Sequence, residues 1–200
     1  SEGLTFRSTF GPDIRQRRDG DFRASLTNTN RGGPARAGIW QREEAGYTLE
    51  NLLTYNRTLF NNHEFKFTAL QSIQALRREW HSTNVVNLPY ESQSFYNLGT
   101  AEVKGDLFSR VEEWTLASYM GRINYSIADK YLFQATLRAD GSSRLAEGNK
   151  WQYFPGLSAG WRVIDEGFMS NVNFLSELKL RASYGAVGNT SVDPYQTFGR

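Results

Sequence analysis

The chain has no cysteine among its 200 residues. Without cysteine there is no disulfide scaffold, no zinc–thiolate site and no cysteine nucleophile. Long apolar runs are missing as well, since no stretch approaches the roughly 18 consecutive apolar residues that a membrane-spanning helix needs. These absences exclude a helical membrane protein, but they do not exclude a β-barrel, because the lumen face and loops of a barrel are polar.

Neither sign of charge dominates the sequence. The 23 Lys and Arg residues are spread evenly among 21 Asp and Glu residues, and the net charge is +2. Because there is no basic stripe or acidic tail, we expect no nucleic-acid partner. The two histidines, His63 and His81, have no partner at metal-ligand spacing. We therefore predict neither a metal site nor a cofactor.

The sequence is rich in aromatic residues and glycine. It contains 13 Phe, 10 Tyr, 5 Trp and 18 Gly. This mixture favours strands and tight turns over helices. We therefore predict an all-β fold.

Apolar and polar residues alternate in several stretches. The clearest is YLFQATLRAD at 131–140, which places Tyr, Phe, Ala and Leu on one face of a strand and Gln, Thr, Arg and Asp on the other. Similar alternation occurs at 115–126, 154–164 and 177–186, and more weakly at 3–11, 46–58 and 64–76. The pattern predicts about seven antiparallel strands.

The lengths of these strands and of their connections indicate a membrane barrel. Most strands span nine to thirteen residues, whereas globular strands average about 5–6 and a tilted strand crossing a bilayer needs about 9–11. The turns FNNH and IADK are short, and the segments 12–45, 77–113 and 141–153 are long and polar. Outer-membrane barrels have short periplasmic turns and long external loops. We predict that these three segments are external loops.

A soluble β-sandwich with one solvated face would show the same alternation. Such a module could bind carbohydrate through exposed aromatic residues such as Trp80, Tyr90 and Tyr96. Strand length and loop asymmetry favour the barrel. The carbohydrate-binding sandwich remains the alternative.

Two motifs suggest chemistry but lack the required context. GLSAG at 156–160 matches the nucleophile elbow G-x-S-x-G around Ser158, but it lies in a predicted strand and both histidines precede it. Asp140, Ser142 and Glu147 could bind calcium, but their spacing is not that of an EF-hand. We predict no catalytic residue and a solvated turn around Ser142.

Five aromatic residues fall near the ends of predicted strands. Trp and Tyr concentrate at membrane–water interfaces, where the ring lies in lipid and the polar tip in water. The predicted interface residues are Trp114, Trp151 and Tyr153 at the external end, and Tyr125 and Tyr131 beside the IADK turn. Packing within an ordinary sheet core is the other interpretation of these side chains.

The second half of the chain resembles a known family. The stretch SYMGRINYSIADKYLFQATLRADGSSRLAEGNKWQYFPGLSAGWRVIDEGFM, followed by LSELKLRASYGAVGN, is similar to the barrel of SusC/RagA TonB-dependent outer-membrane transporters. The motifs RADGSSR, W-x-YFP, GWR and LKLRASYG-x-x-GN together carry the resemblance, and ENLLTYNRTLFNNHEFKF extends it toward the start. Leu145 stands where the family often has phenylalanine.

The resemblance implies one portion of a large barrel in the outer membrane of a Gram-negative bacterium, importing a nutrient such as an oligosaccharide or a peptide. The apolar face of 131–140 would then contact membrane lipid. The candidate lumen-facing residues are Arg122, Asn124, Gln134, Arg138, Asp140, Arg162, Lys179 and Arg181. Trp80, Tyr90 and Tyr96 would contact the ligand or a lid from the external loops.

The resemblance also implies two kinds of partner. A SusD-like surface lipoprotein would form the external lid. The TonB–ExbB–ExbD complex would act through an amino-terminal region and plug domain, which we expect to lie outside this chain. No cofactor is implied.

Overall fold

The computed structural model describes residues 3–60, 62–172 and 174–188. Its strands are β1 (Leu4–Arg23), β2 (Arg36–Leu59), β3 (His63–Val86), β4 (Val103–Ile127), β5 (Tyr131–Ser142), β6 (Trp151–Arg162) and β7 (Lys179–Gly185). They form one sheet in chain order, and the pairs from β4 to β7 are antiparallel. The predicted all-β, seven-stranded antiparallel fold is confirmed.

Helical structure in the described part of the chain is limited to four 3₁₀ turns. They are Glu91–Gln93, Leu98–Thr100, Val163–Asp165 and Gly167–Met169. Within those described ranges, no helix has the length and apolar character needed to cross a membrane.

The first four strands are much longer than the sequence predicted. They contain 20, 24, 24 and 25 residues, whereas β5 and β6 contain 12 each. Most of 12–45 and 77–113 is therefore strand, and only 24–35 and 87–102 lie between strands. The prediction that these two segments are loops throughout is wrong, while their external location stays a prediction. The third predicted loop, 141–153, is reduced to 143–150. The prediction of a solvated turn around Ser142 is wrong, because Ser142 is buried at the end of β5.

The missed portion of β1 shows why alternation failed there. Its side chains are exposed on both faces, so neither face needs to be apolar. Ion pairs between residues two apart line the strand instead, with Arg15 and Asp13 2.8 Å apart and Arg17 and Asp19 2.7 Å apart.

Contacts divide the chain into two compact units. The first unit contains residues 3–11, 48–75 and the described residues from 114 onward, and the second contains 12–47 and 76–113. The second unit has its own small core. Its buried members are Ala35, Ala37, Val85, Leu88 and Ala101, with Phe22, Phe95 and Leu98 packed against them.

Gly20 allows this core to close. A Cβ atom at position 20 would lie 2.5 Å from the ring of Phe95. The glycine therefore lets the aromatic ring pack directly on the backbone of β1.

Candidate lumen and membrane faces

One face of the first unit is apolar and open. Across four neighbouring strands, Ile123 pairs with Ala135, Ala135 with Leu157, and Leu157 with Tyr184. On the same face, Phe133 is 47% exposed and Leu137 is 55% exposed. A sandwich would cover such a face with a second sheet, but the described residues form a single sheet. An apolar surface of this extent fits contact with lipid or another protein better than contact with water.

Aromatic side chains lie at both ends of the apolar face. At one end Tyr119 stacks on Trp151 with ring centroids 6.0 Å apart, and at the other Tyr131 lies opposite Trp161 in the ladder. From Tyr131 to Gly141, the partner of Trp151, the strand rises roughly 33 Å. At a tilt of about 40° this corresponds to roughly 25 Å along the membrane normal, the height of the apolar band of outer-membrane barrels.

The five predicted interface aromatics do not all occupy equivalent positions. Trp151 and Tyr153 are exposed on the apolar face near one end. Trp114, by contrast, lies well inside β4, and the guanidinium of Arg144 stacks 4.0 Å from its ring centroid. The expectation that Trp114 marks a strand end is wrong, because the weak alternation of 103–113 concealed the first half of the strand.

Tyr125 and Tyr131 are both anchored by hydrogen bonds at the short-turn end. The hydroxyl of Tyr125 lies 2.7 Å from Nδ1 of His63, and the two rings stack. The hydroxyl of Tyr131 donates to Glu166 at 2.7 Å. Backbone bonding joins the two short turns themselves, since the amide of Ala128 donates to the carbonyl of Asn62 at 2.6 Å. Their being at the membrane interface stays a prediction.

Glu166 connects the segment after β6 to this end of the sheet. Besides the bond from Tyr131, it accepts one from Nε1 of Trp161 at 3.0 Å and lies 3.4 Å from Nζ of Lys130. The bond from Tyr131, then that from Trp161, hold the pKa of Glu166 below its ordinary value. A lowered carboxyl pKa stabilises the fold at neutral pH, and this contribution is lost as the pH falls through the folded-state pKa.

The opposite face of the same strands is polar. Asn124 pairs with Gln134, Gln134 with Ser158, and Ser158 with Ser183. The register places all eight candidate lumen-facing residues on this face: Arg122, Asn124, Gln134, Arg138, Asp140, Arg162, Lys179 and Arg181. A cavity of about 720 Å³ adjoins this polar face, and residues from each of the strands β2 to β7 line it. The predicted separation of polar and apolar faces agrees with this register, and the location of the polar face in a lumen stays a prediction.

Two arginines on the polar face are held by neighbours. Arg138 donates from Nε to both carboxylate oxygens of Asp140, at 2.8 and 2.9 Å, and a terminal nitrogen lies 3.3 Å from Oγ of Ser118. Asp140 and Ser118 are buried. Arg122 donates to the hydroxyl of Thr136 at 3.2 Å. These side chains place charge and hydrogen-bond donors at fixed positions on the polar face.

Ser158 has no catalytic surroundings. It lies within β6 between Gln134 and Ser183, neither of which is a base, and both histidines are on β3. The strained strand-to-helix turn of a nucleophile elbow does not occur at this position.

The predicted ligand or lid residues lie in the second unit. Tyr90 and Tyr96 are exposed between β3 and β4. Trp80 lies inside β3, not in a loop, and is surrounded by arginines. Sequence reasoning missed the charged network around Trp80. Its signal in the sequence is the spacing Arg-x-Glu at 42–44 and 110–112, on the two strands that flank β3.

Comparison with known proteins supports the two-faced barrel wall. No family model matches the chain. TonB-dependent receptor P26 of Formosa agariphila is 34% identical over 100% of the chain, which covers 20% of that protein. TonB-dependent receptor SusC of Bacteroides thetaiotaomicron is 49% identical over 78 residues, which are 39% of this chain and 8% of SusC. The solved structure of the RagAB peptide transporter matches 98% of this chain and 22% of its own with a TM-score of 0.89 and 19% identity, which shows the fold.

The sheet and these relatives define a segment of the β-barrel of a TonB-dependent receptor. Within that class, the chain belongs to the SusC/RagA family. It spans about one fifth of the length of the curated relatives that it matches along its whole length.

Proposed function

We propose that the full-length protein is a TonB-dependent importer of the bacterial outer membrane, and that this chain forms part of its barrel wall. The observation that carries the proposal is the single sheet with one apolar and one polar face, with aromatic residues at both ends of the apolar face. In this arrangement the apolar face contacts lipid and the polar face lines the lumen.

The cargo is a nutrient of the oligosaccharide or peptide class that is too large for porins. The peptide part of this class is supported by a related protein, since RagAB is a peptide transporter. The charged and amide side chains on the polar face, from Arg122 to Arg181, provide donors that tune selectivity as the cargo passes.

A SusD-like lipoprotein covers the external mouth in this proposal, and the TonB–ExbB–ExbD complex supplies energy through another part of the protein. The segments 24–35, 87–102 and 143–150 face the exterior, together with the strand extensions that lead to them. The role is transport without catalysis, in line with relatives that are named receptors and transporters.

Depletion of nutrients from a defined medium tests this function. Wild-type cells, cells lacking the gene and cells lacking TonB would be given a casein digest together with neutral and acidic plant oligosaccharides, and the medium would be followed by mass spectrometry. We expect the same component to persist in both mutant cultures. Depletion of that component by cells lacking TonB would contradict the proposal.

A further inference from the structure

Three arginines surround one tryptophan in the second unit. The guanidinium carbons of Arg42, Arg78 and Arg110 lie 5.8, 5.4 and 5.5 Å from the ring centroid of Trp80. These distances are within the cation–π range of about 6 Å. We call these four residues, with Glu44 and Glu112, the arginine–tryptophan cluster.

The two carboxylates of the cluster are buried. Glu44 is 8% exposed and Glu112 is 9% exposed. Glu44 pairs with Arg42 and accepts from Nε of Arg78 at 2.8 Å, and Glu112 lies 3.8 Å from both Arg78 and Arg110. Buried carboxylates are stable only when they are paired. They therefore hold the guanidinium groups in fixed positions around the indole ring.

The arginines of the cluster are more exposed to solvent than its carboxylates. Three guanidinium groups against two carboxylates leave one uncompensated positive charge. The side chains of Arg42 and Arg110 are 44% and 54% exposed, whereas those of Glu44 and Glu112 are 9% and 11% exposed. A ligand that approaches the cluster meets oriented N–H donors and an aromatic ring before it meets any cluster carboxylate.

A cavity of about 240 Å³ adjoins the cluster. Its lining includes the aromatic rings of Trp40, Trp80 and Phe108, together with Arg42 and the ion pair of Arg17 with Asp19. The volume is slightly below the about 300–1,000 Å³ of sites for drug-sized ligands, and it suits one unit of a longer chain. Flat aromatic side chains pack against the apolar faces of a sugar ring. A planar guanidinium group binds a carboxylate or a sulfate through two N–H donors.

We propose that this cavity binds an anionic sugar unit, carboxylated or sulfated, of the oligosaccharide that the protein imports. The inference rests on the proposed import function and names a substrate class for it. A network with a purely structural role would need neither the cavity nor the exposed guanidinium groups of Arg42 and Arg110. Anionic rather than neutral sugar follows because Arg17 and Arg42 line the cavity against one exposed carboxylate, that of Asp19, while both cluster carboxylates are buried.

The inference can be tested by calorimetry, which measures the binding of paired anionic and neutral sugars to the full-length protein in detergent. Oligogalacturonate would be compared with its methyl-esterified form, and κ-carrageenan oligosaccharides with agaro-oligosaccharides. The first pair probes a carboxylate and the second a sulfate. We expect at least one anionic member to bind about tenfold more tightly than its neutral partner, since charge-assisted bonds contribute about 1.5–3 kcal/mol. Added salt should reduce this preference.

Substitution of the cluster separates binding from folding. Arg42→Gln should reduce the preference for the anionic sugar severalfold, because Arg42 lines the cavity, and Trp80→Ala should weaken both members of the pair. Arg77→Gln is the matched control, because Arg77 adjoins Arg78 on β3 and pairs with Glu79 and Glu113, outside the cavity lining. Heat-modifiable migration of each variant would verify that the barrel folds.

Equal affinity for neutral and anionic sugars, or no binding by either anionic probe, would overturn the inference. An acidic peptide that binds the cluster in preference to both sugars would also overturn it. TonB-dependent uptake without charge selectivity would refute this inference alone. Charge-selective binding without TonB-dependent uptake would refute only the proposed function.

Discussion

At the scale of single residues, the face of the sheet on which a side chain lies decides how much a substitution lowers the stability of the barrel. Ala135 lies between Ile123 and Leu157 on the apolar face, whereas its neighbour Gln134 lies between Asn124 and Ser158 on the polar face. A change of one position along β5 therefore moves a side chain from the proposed lipid to the proposed lumen. The same substitution at both positions isolates the effect of the face.

We expect Ala135→Arg to reduce the amount of folded full-length barrel, because an arginine on the lipid face near the midplane costs about 2–4 kcal/mol. Gln134→Arg, the matched control, should leave that amount unchanged. The measurement is heat-modifiable protein in isolated outer membranes. A silent Ala135→Arg together with lost folding of Gln134→Arg would show that the faces are reversed.

At the scale of elements, alternation predicted strands well where the two faces differ. The stretch 131–140 corresponds to β5 at Tyr131–Ser142, and 154–164 to β6 at Trp151–Arg162. It failed in the parts of β1 to β4 that belong to the second unit, where charged residues occupy both faces and ladder bonds between neighbouring strands maintain the extension. The sequence also predicted that the polar residues of β5 share one face. It did not predict the cluster around Trp80, because the members of that cluster come from three strands whose register no local pattern reveals.

The direction of the strands is testable with single cysteines in a full-length protein freed of its native cysteines. Ser92 lies exposed between β3 and β4, and Ala128 lies exposed in the turn between β4 and β5. We expect an impermeant thiol reagent on intact cells to label Ser92→Cys and not Ala128→Cys, since the first faces the exterior in the proposed orientation. Both should react after permeabilisation. The reverse pattern on intact cells would invert the topology.

At the scale of the whole molecule, this chain is an incomplete sheet. β1 and β7 are its edges, and the backbone groups on their outer sides have no strand partner among the described residues. Lipid offers no hydrogen bonds to such groups, so only a closed barrel satisfies them. The relatives are about five times as long as the chain, which covers 20% of each of the first two. We expect the remaining strands of the barrel to come from the rest of the full-length protein.

We therefore expect residues 1–200 produced alone to aggregate or to associate with other copies, because two open edges and an uncovered apolar face remain. The full-length protein in detergent should be monodisperse and heat-modifiable. Size-exclusion chromatography and thermal melts of both samples make the comparison. A control fragment with Leu137 and Leu157 changed to Ser tests the contribution of the apolar face, and it should aggregate less while its edges still associate. A monodisperse monomer of residues 1–200 in plain buffer, with a cooperative melt, would refute the membrane assignment and favour a soluble sandwich.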